Sequence, residues 1–159
     1  DALLLLVWRE GVAAQKRPAG LARDLRSVGR AHGLGDVDLL GFYFDAVLRP
    51  RPAAQLAPQI ASHAAVLHAL LLGAADPPAA RLALLTSAEE LLSAGADPPL
   101  KRAPHVFKAL YDADLLAEEA ILAWHARPAA VGTPGAVLRA ALAPFVAWLR
   151  EAEEDSDEE

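Results

Sequence analysis

The sequence predicts a single all-α domain, and three features support this prediction. Alanine and leucine dominate, and aromatic residues make up only 6% of the 159 residues, a composition that favours helices over sheets. Apolar residues recur at helical spacing, and no alternating segment is bounded by hairpin turns. Twelve prolines and ten glycines are spread along the chain and divide it into helix-sized pieces. A chain of this length can bury roughly 70% of its unfolded surface.

Eight helices are predicted between these breaks. In chain order they cover residues 2–14, 19–32, 37–48, 53–72, 79–94, 101–112, 115–126 and 135–154. The first contains the apolar run from Leu3 to Trp8, which is far shorter than the roughly 20 residues of a membrane span. We therefore expect a buried helix there and no membrane contact. Because Asp1 opens directly into this helix without an initiator methionine, we expect the chain to be part of a longer protein.

Capping residues explain several of the predicted helix starts. Asp36 can cap the third helix and Asp114 the seventh, because a carboxylate accepts hydrogen bonds from the free amides of a first turn. Thr133 stands directly before Pro134, and this pair favours the start of the eighth helix.

Two predicted helices contain a proline, and the fifth predicted helix contains a possible capping pattern. Pro58 is expected to split the fourth helix, and Pro144 to kink or restart the eighth, because proline lacks a backbone donor. Ser87 and Glu90 have the three-residue spacing of a capping box.

Charge is distributed unevenly along the chain. Residues 1–110 carry 12 basic and 10 acidic side chains, whereas residues 111–159 carry 3 basic and 11 acidic ones, a net charge of −8. An acidic end attracts cationic partners and repels phosphates, so we expect no direct binding of nucleic acid through it. The absence of cysteine excludes disulfides and thiolate metal sites and favours an intracellular, cytoplasmic compartment.

No pattern in the sequence indicates catalysis, a cofactor or a metal site. The five histidines form no HExxH motif, and no glycine-rich phosphate loop or nucleophile elbow is present. Paired glutamates such as Glu118 and Glu119 could act as an acid and a base only if burial separated their proton affinities, and runs this charged are normally solvated. We therefore expect a binding domain without catalytic, cofactor-binding or metal-binding residues.

Two segments each couple an aromatic and apolar helix face to a block of acids. The first box, residues 108–124, reads "KALYDADLLAEEAILAW", and the second box, residues 144–159, reads "PFVAWLREAEEDSDEE". Leu116, Ala120 and Trp124 recur every four residues, so one stripe can face the core while the acids project beside it. In the predicted eighth helix, which carries the second box, the corresponding stripe comprises Leu138, Ala141, Leu142, Phe145 and Leu149.

The candidate partner-binding residues are the aromatic and acidic members of these boxes. They are Tyr111, Asp112, Asp114, Glu118, Glu119, Trp124, Phe145, Trp148, Glu151, Glu153, Glu154 and Asp155. The alternative for Trp124 and Trp148 is an ordinary core position on an amphipathic helix. Acids contribute nothing to a core and repel each other, so a cationic ligand is a reasonable cause for their concentration here.

The ordered pair of boxes resembles the two aromatic-acidic boxes of W2 domains, a HEAT-like family found at the ends of translation factors. The resemblance covers residues 105–159, and the run "KALYDADLL" is similar to the factor 5 type of W2 domain. It implies a HEAT-like stack of antiparallel helix pairs for the whole chain. Surface contacts outside the boxes are not implied, because alanine replaces many expected charged residues.

The resemblance also implies a function in translation initiation. A factor 5 type of W2 domain is expected to be an adaptor, not an enzyme, that binds the lysine-rich tail of the beta subunit of initiation factor 2 and contacts initiation factors 3 and 1. GTPase activation is expected in a separate N-terminal domain. The alternative is the catalytic W2 domain of the epsilon subunit of factor 2B, which promotes nucleotide exchange on factor 2. A third possibility is a purely structural helical cap.

The last residues are expected to form an acidic tail. Seven of the nine residues in 151–159 are acidic, and like charges without apolar anchors disfavour packing, so we predict one domain over residues 1–154 and a disordered tail over 155–159. Ser156 is followed by three acids, a context that acid-directed kinases prefer, and is a candidate for phosphorylation.

Overall fold

The computed structural model of the protein describes residues 2–93, 99–127 and 129–157, with side chains described as far as Ala152. Across these ranges it contains helices and no strand, so the all-α prediction is confirmed. The α-helices are α1 (Ala2–Ala13), α2 (Pro18–Ala31), α3 (Asp36–Phe42), α4 (Leu56–Leu72), α5 (Pro77–Ser93), α6 (Ala103–Asp112), α7 (Glu118–Ala126), α8 (Pro134–Ala141) and α9 (Ala143–Asp157).

Three short helical segments adjoin these helices. A π-helical segment, Tyr43–Leu48, continues α3, and its amide-to-carbonyl bond from Arg49 to Phe44 spans five residues. The 3-10 turns Ala53–Gln55 and Leu100–Arg102 lead into α4 and α6. The predicted third helix is therefore an α-helix followed by a π-helical turn.

The helices pack as a two-layered stack. In one layer α2 packs on α4, α4 on α6 and α6 on α9, while in the other α3 packs on α5 and α5 on α8. The helix pairs α3/α4, α4/α5 and α6/α8 join the layers. This arrangement of neighbouring pairs is the HEAT-like architecture that the sequence leads us to expect.

One continuous apolar core runs between the two layers. It includes buried side chains of every α-helix, from Leu4 in α1 to Leu149 in α9. Burial of large side chains such as Phe44 and Phe107 stabilises each layer by about 1.5–3 kcal/mol per residue. None of the helices in the described ranges is both long and apolar enough to span a bilayer.

Two of the three predicted caps are wrong. The N-cap of α3 is Gly35, whose amide donates to the Asp38 carboxylate at 2.8 Å, and Asp36 is the first helical residue. Asp114 has a positive φ of 62° and precedes the N-cap of α7, which is Ala117. Both carboxylates lie near a helix start, but neither acts as the N-cap.

The cap at Thr133 is confirmed, because its hydroxyl accepts from the Ala136 amide at 3.3 Å and Pro134 opens α8. Pro144 also acts as predicted, since α8 ends at Ala141 and the chain restarts in α9. Pro58 does not split the fourth helix: it lies in the first turn of α4, where a backbone donor is not needed.

The predicted capping box at Ser87 and Glu90 is also wrong. Both residues lie inside α5, three to six residues before its end. Interior amides already bond to carbonyls one turn earlier, so they leave no free donor for a cap.

Arg26 links three helices at one edge of the stack. Its guanidinium donates to the carbonyls of Ala69 and Leu70 at 3.5 and 3.2 Å, at the C-terminal end of α4. It also pairs at 3.4 Å with Asp36, whose carboxylate accepts from the Ala75 amide at 3.1 Å. A cation at a helix C-terminus is favourable for the free carbonyls and for the helix dipole.

A polar network lies among the N-terminal helices. The Trp8 indole donates to the buried Tyr43 hydroxyl at 3.2 Å, and Tyr43 lies 2.7 Å from Nδ1 of His63. Because Trp8 already donates to the Tyr43 oxygen, the Tyr43 proton is free to bond to His63. Nε2 of His63 lies 3.2 Å from the Gln59 side-chain oxygen, so the neutral Nε2–H tautomer satisfies both contacts.

Burial sets the ionisation of this network. It raises the pKa of Tyr43 to about 12, although the hydrogen bond from Trp8 acts in the opposite direction. Burial, and secondly the positive charge of Arg51, lower the pKa of His63 below its ordinary value of 6.5. Both side chains are therefore neutral at pH 7.

The final helix extends further than predicted. We expect the chain to lose regular structure after about Glu154, yet α9 continues to Asp157. Its first half is anchored in the core by Phe145 and Leu149, and once a helix is nucleated each added residue forms another backbone bond. The predicted tail therefore includes helical backbone at residues 155–157.

Candidate functional site

Three aromatic side chains from α6 and α9 form a surface cluster, here called the aromatic platform: Tyr111, Phe145 and Trp148. Trp148 stacks on Phe145 with ring centroids 5.8 Å apart and an interplanar angle of 21°. The Tyr111 ring meets Trp148 edge to face at 6.1 Å and 88°. Phe145 is buried and fixes the platform to the core, whereas Trp148 is 41% exposed. An indole of this kind, apolar on its face and accessible to solvent, is typical of binding surfaces.

A lysine and a carboxylate lie at the edge of the aromatic platform. Nζ of Lys108 pairs with Asp112 at 2.7 Å, one turn further along α6. The same ammonium lies 5.5 Å from the centroid of the Trp148 ring, within the range of a cation–π contact. Both side chains of the pair are 52% exposed, so solvent screens their attraction strongly.

The other box tryptophan has a different position. Trp124 is 3% exposed and stacks on Phe107 at 5.2 Å inside the core. Its indole donates to the Glu89 carboxylate at 3.0 Å, and the Arg139 guanidinium lies 4.4 Å from its ring centroid. Arg139 in turn pairs with Glu89 at 3.2 Å. Trp124 can thus affect a partner only through the helices that it holds in place.

Two acids open α7. Glu118 and Glu119 are the first two residues of the helix, where a negative charge favours the free amides and the positive end of the helix dipole. Glu119 is exposed, whereas Glu118 is half-buried and interacts within the protein. Of this pair, Glu119 offers its carboxylate to solvent.

The remaining acids lie in different places. Asp114 lines a cleft together with His68 of α4 and Arg81 of α5. Glu151 is exposed on α9, one turn beyond Trp148. The side chains of the four other predicted residues lie outside the described part of the structure: Glu153, Glu154, Asp155 and Ser156.

The structure therefore brings some of the predicted residues together and separates others. Tyr111, Asp112, Phe145 and Trp148 form one local site on α6 and α9, and Glu151 lies on the same helix as the indole. Trp124 belongs to the core, and Asp114 belongs to another cleft. The two boxes thus do not present all their members on one surface.

Sequence reasoning missed three residues of the site and its support. Lys108 could have been found from its four-residue spacing to Asp112, which is the spacing of an ion pair on a helix. Glu89 lies 35 residues from Trp124 and 50 from Arg139, and no local pattern connects them. Their association is visible only after α5, α7 and α8 have packed.

The groups of this site have the chemistry to attract cations. Exposed carboxylates and an indole face both attract an ammonium or guanidinium group, and the rigid helices hold them in position. Within the described part of the chain, no three histidine, aspartate or glutamate side chains converge in a way that could hold a metal ion.

Comparison with known proteins matches the region that carries the two boxes. Residues 80–159 match the family model W2, described as eIF4-gamma/eIF5/eIF2-epsilon. Eukaryotic translation initiation factor 5 of Zea mays is 40% identical over 87 residues, which cover 54% of this chain and 19% of that protein. The factor of the same name from Phaseolus vulgaris is 37% identical over 79 residues, covering 50% of this chain and 18% of that protein.

The match to the factor from Mus musculus is shorter, at 38% identity over 58 residues, or 35% of this chain and 14% of that protein. The chain thus spans about a fifth or less of the length of these curated relatives. A solved structure of the C-terminal domain of translation initiation factor 5 at low pH superposes with a TM-score of 0.68 and 23% identity. The superposition covers 86% of this chain and 82% of that one and shows a common fold.

Proposed function

Since this chain belongs to the W2 family of translation initiation factor domains, we propose that it is an adaptor that binds lysine-rich segments of other initiation factors. The aromatic platform and the acids around it are the proposed binding surface. A disordered, cationic segment would lie along α6 and α9, with lysine stems on the rings and ammonium groups near the carboxylates.

The single observation that carries this proposal is the exposure of Trp148. A large apolar ring that is 41% exposed adds little to the core, and it lies beside exposed carboxylates of the same two helices. Aromatic side chains with this environment are enriched among the residues that dominate binding energies. A cationic peptide can use both the ring and the acids.

Several weak contacts must act together in such a complex. One exposed ion pair contributes about 0–1 kcal/mol, whereas micromolar affinity corresponds to about 8 kcal/mol. The acidic residues of the box region supply several ion pairs, and the rings of the aromatic platform add apolar contacts beside them. Binding of this kind weakens with salt, because screening acts on every exposed pair.

Within this function, the proposed principal partner is the lysine-rich tail of the beta subunit of initiation factor 2, with initiation factors 3 and 1 as further contacts in the cytoplasm. The relatives named above are factors of translation initiation, and the net negative charge of the box region favours a lysine-rich ligand. The same charge disfavours direct contact with nucleic acid.

The test measures binding of a lysine-rich peptide to the domain at low and high ionic strength. We expect Trp148→Ala to weaken binding about tenfold, in keeping with a loss of 1–2 kcal/mol for an exposed aromatic contact. Glu151→Lys should weaken it by a smaller factor and reduce its salt dependence. Glu10→Lys, the same reversal at an exposed position of α1, is the control and should leave affinity nearly unchanged.

Affinity that is independent of salt would contradict this proposal. Equal binding by Trp148→Ala and the unchanged protein would show that the aromatic platform is not the contact surface. If the peptide did not bind at all, the structural-cap alternative would be favoured.

A further inference from the structure

We propose that Lys108 occupies, from within the domain, the position that one lysine of a partner takes at the aromatic platform. The domain's own ammonium group would then compete with the ligand and set the strength of binding at this position. This inference rests on the proposed function, because it concerns regulation of the same surface.

The contacts of Lys108 are those that a bound lysine would make. Its ammonium lies 2.7 Å from the Asp112 carboxylate and 5.5 Å from the centre of the Trp148 ring. The ring also packs against Phe145, at a centroid distance of 5.8 Å, and against Tyr111, at 6.1 Å. A carboxylate beside a supported indole face forms a position suited to one primary ammonium group.

This position is held weakly, so a competing group can enter it. Lys108 and Asp112 are each 52% exposed, and the flexible four-carbon stem of lysine moves without disturbing the core. The lysine also precedes the carboxylate along the helix, which is the less favourable order for a pair spaced by four residues. An incoming lysine can therefore displace Lys108 without unfolding any helix.

The sequence offers a matched control for this idea. Lys101 is exposed, like Lys108, and lies in the 3-10 turn that precedes α6. Among the described ion pairs and ring contacts, none involves Lys101. Replacing either lysine by methionine removes the same charge and keeps most of the apolar stem, but only Lys108→Met removes an ammonium group from Asp112 and the Trp148 ring.

The first measurement compares the affinity of a lysine-rich peptide for these variants at one ionic strength. We expect Lys108→Met to bind about threefold to tenfold more tightly than the unchanged protein, the gain from one cation–π contact and one exposed ion pair. Lys101→Met should change affinity less than twofold. In a Trp148→Ala background, the advantage of Lys108→Met over Lys101→Met should fall to within a factor of two.

Equal affinities of Lys108→Met and Lys101→Met would overturn the inference, because the gain would then come from net charge alone. Weaker binding by Lys108→Met would also overturn it and would indicate that Lys108 supports the platform.

The second measurement does not depend on the peptide. N-acetyl-lysine methylamide is titrated into each protein while the indole N–H resonance of Trp148 is followed by NMR. We expect this resonance to move at an at least threefold lower ligand concentration in Lys108→Met than in Lys101→Met. No difference between the two variants would refute the internal competition even if the peptide failed to bind. Absence of peptide binding together with the expected indole response would refute the proposed function alone.

Discussion

At the scale of single residues, Glu89 connects the helix of the first box to two other helices. One oxygen of its carboxylate accepts from the Trp124 indole and the other pairs with Arg139, so it joins α5 to both α7 and α8. The side chains of Arg139 and Glu89 are 14% and 27% exposed. If the Glu89 carboxylate is removed, water can therefore only partly replace it as a hydrogen-bond acceptor. Its position therefore fixes α7 relative to the stack.

Glu89→Ala is expected to lower the free energy of unfolding by about 1–3 kcal/mol, because two donors lose their partner in a largely buried place. Urea unfolding followed by tryptophan fluorescence measures the change. Glu90→Ala, at the adjacent exposed position of α5, should remain within about 0.5 kcal/mol of the unchanged protein. Similar losses in both variants would argue against a specific role for Glu89.

His63 makes stability depend on pH. Its folded-state pKa lies below the ordinary value of 6.5, so between these two values the unfolded chain binds the proton more readily than the folded protein. The stabilising contribution of neutral His63 is fully present well above pH 6.5. It is lost as the pH falls below 6.5 towards the lowered pKa.

We therefore expect the urea-unfolding free energy to fall more between pH 7.5 and pH 5.5 in the unchanged protein than in His63→Gln. His32→Gln, which removes an exposed histidine at the end of α2, is the control. If the unfolding free energy of His63→Gln fell as steeply over this pH range as that of the unchanged protein, the pH dependence would come from other groups.

At the scale of the helices, what the sequence could predict depended on whether the relevant contacts were local. The break at Pro144 and the cap at Thr133 follow from bonds within a few residues, and both predictions are confirmed. The cap assigned to Asp36 fails because its carboxylate bonds to Arg26 and to the Ala75 amide, 39 residues away. Local preference cannot anticipate such tertiary partners.

In the candidate site, too, the sequence predicts local features but not contacts between distant parts of the chain. The two boxes contain the residues of the aromatic platform. Tyr111 and Trp148 lie on different helices, however, and they meet only when α6 and α9 pack. Helical spacing puts Trp124 on the core-facing stripe of its box and leaves Trp148 off the corresponding stripe, in agreement with the burial of Trp124 and the exposure of Trp148.

The extension of α9 gives Ser156 a place on helical backbone. Phosphorylation there by an acid-directed kinase would add a charge of about −1.5 to −2. We predict about twofold to fivefold tighter binding of a lysine-rich peptide, since one further surface ion pair contributes up to about 1 kcal/mol. Phosphate incorporation and affinity are measured after kinase treatment, with Ser156→Ala as control. Incorporation accompanied by weaker binding would show that this end of α9 does not face the ligand.

At the scale of the whole molecule, charge is distributed unevenly between the box region and the rest of the chain. The box region carries the net charge of −8, whereas residues 1–110 have a slight excess of basic side chains. A field of this form attracts a cationic segment to one end of the stack and orients it on approach. The same field repels the phosphates of a nucleotide.

We accordingly predict that the domain binds initiation factor 2 without accelerating release of GDP from it. Release of a fluorescent GDP analogue is followed with and without the domain, at concentrations where binding is saturated. Trp148→Ala, which is expected to bind weakly, is the control for effects of added protein. Rapid release caused by the domain alone would instead favour the nucleotide-exchange function of the factor 2B epsilon subunit.

The contacts of Arg26 have a consequence for how the stack opens. Since one guanidinium holds the carbonyls at the end of α4 and also pairs with Asp36, which in turn accepts from the Ala75 amide, the segment after α4 is tied to α2 and α3. The Ala75 amide hydrogen is exposed to exchange with solvent only when this link breaks. Its exchange rate therefore reports how often the bond to Asp36 opens, and it should be slower than that of an amide without a partner in an ordinary surface loop.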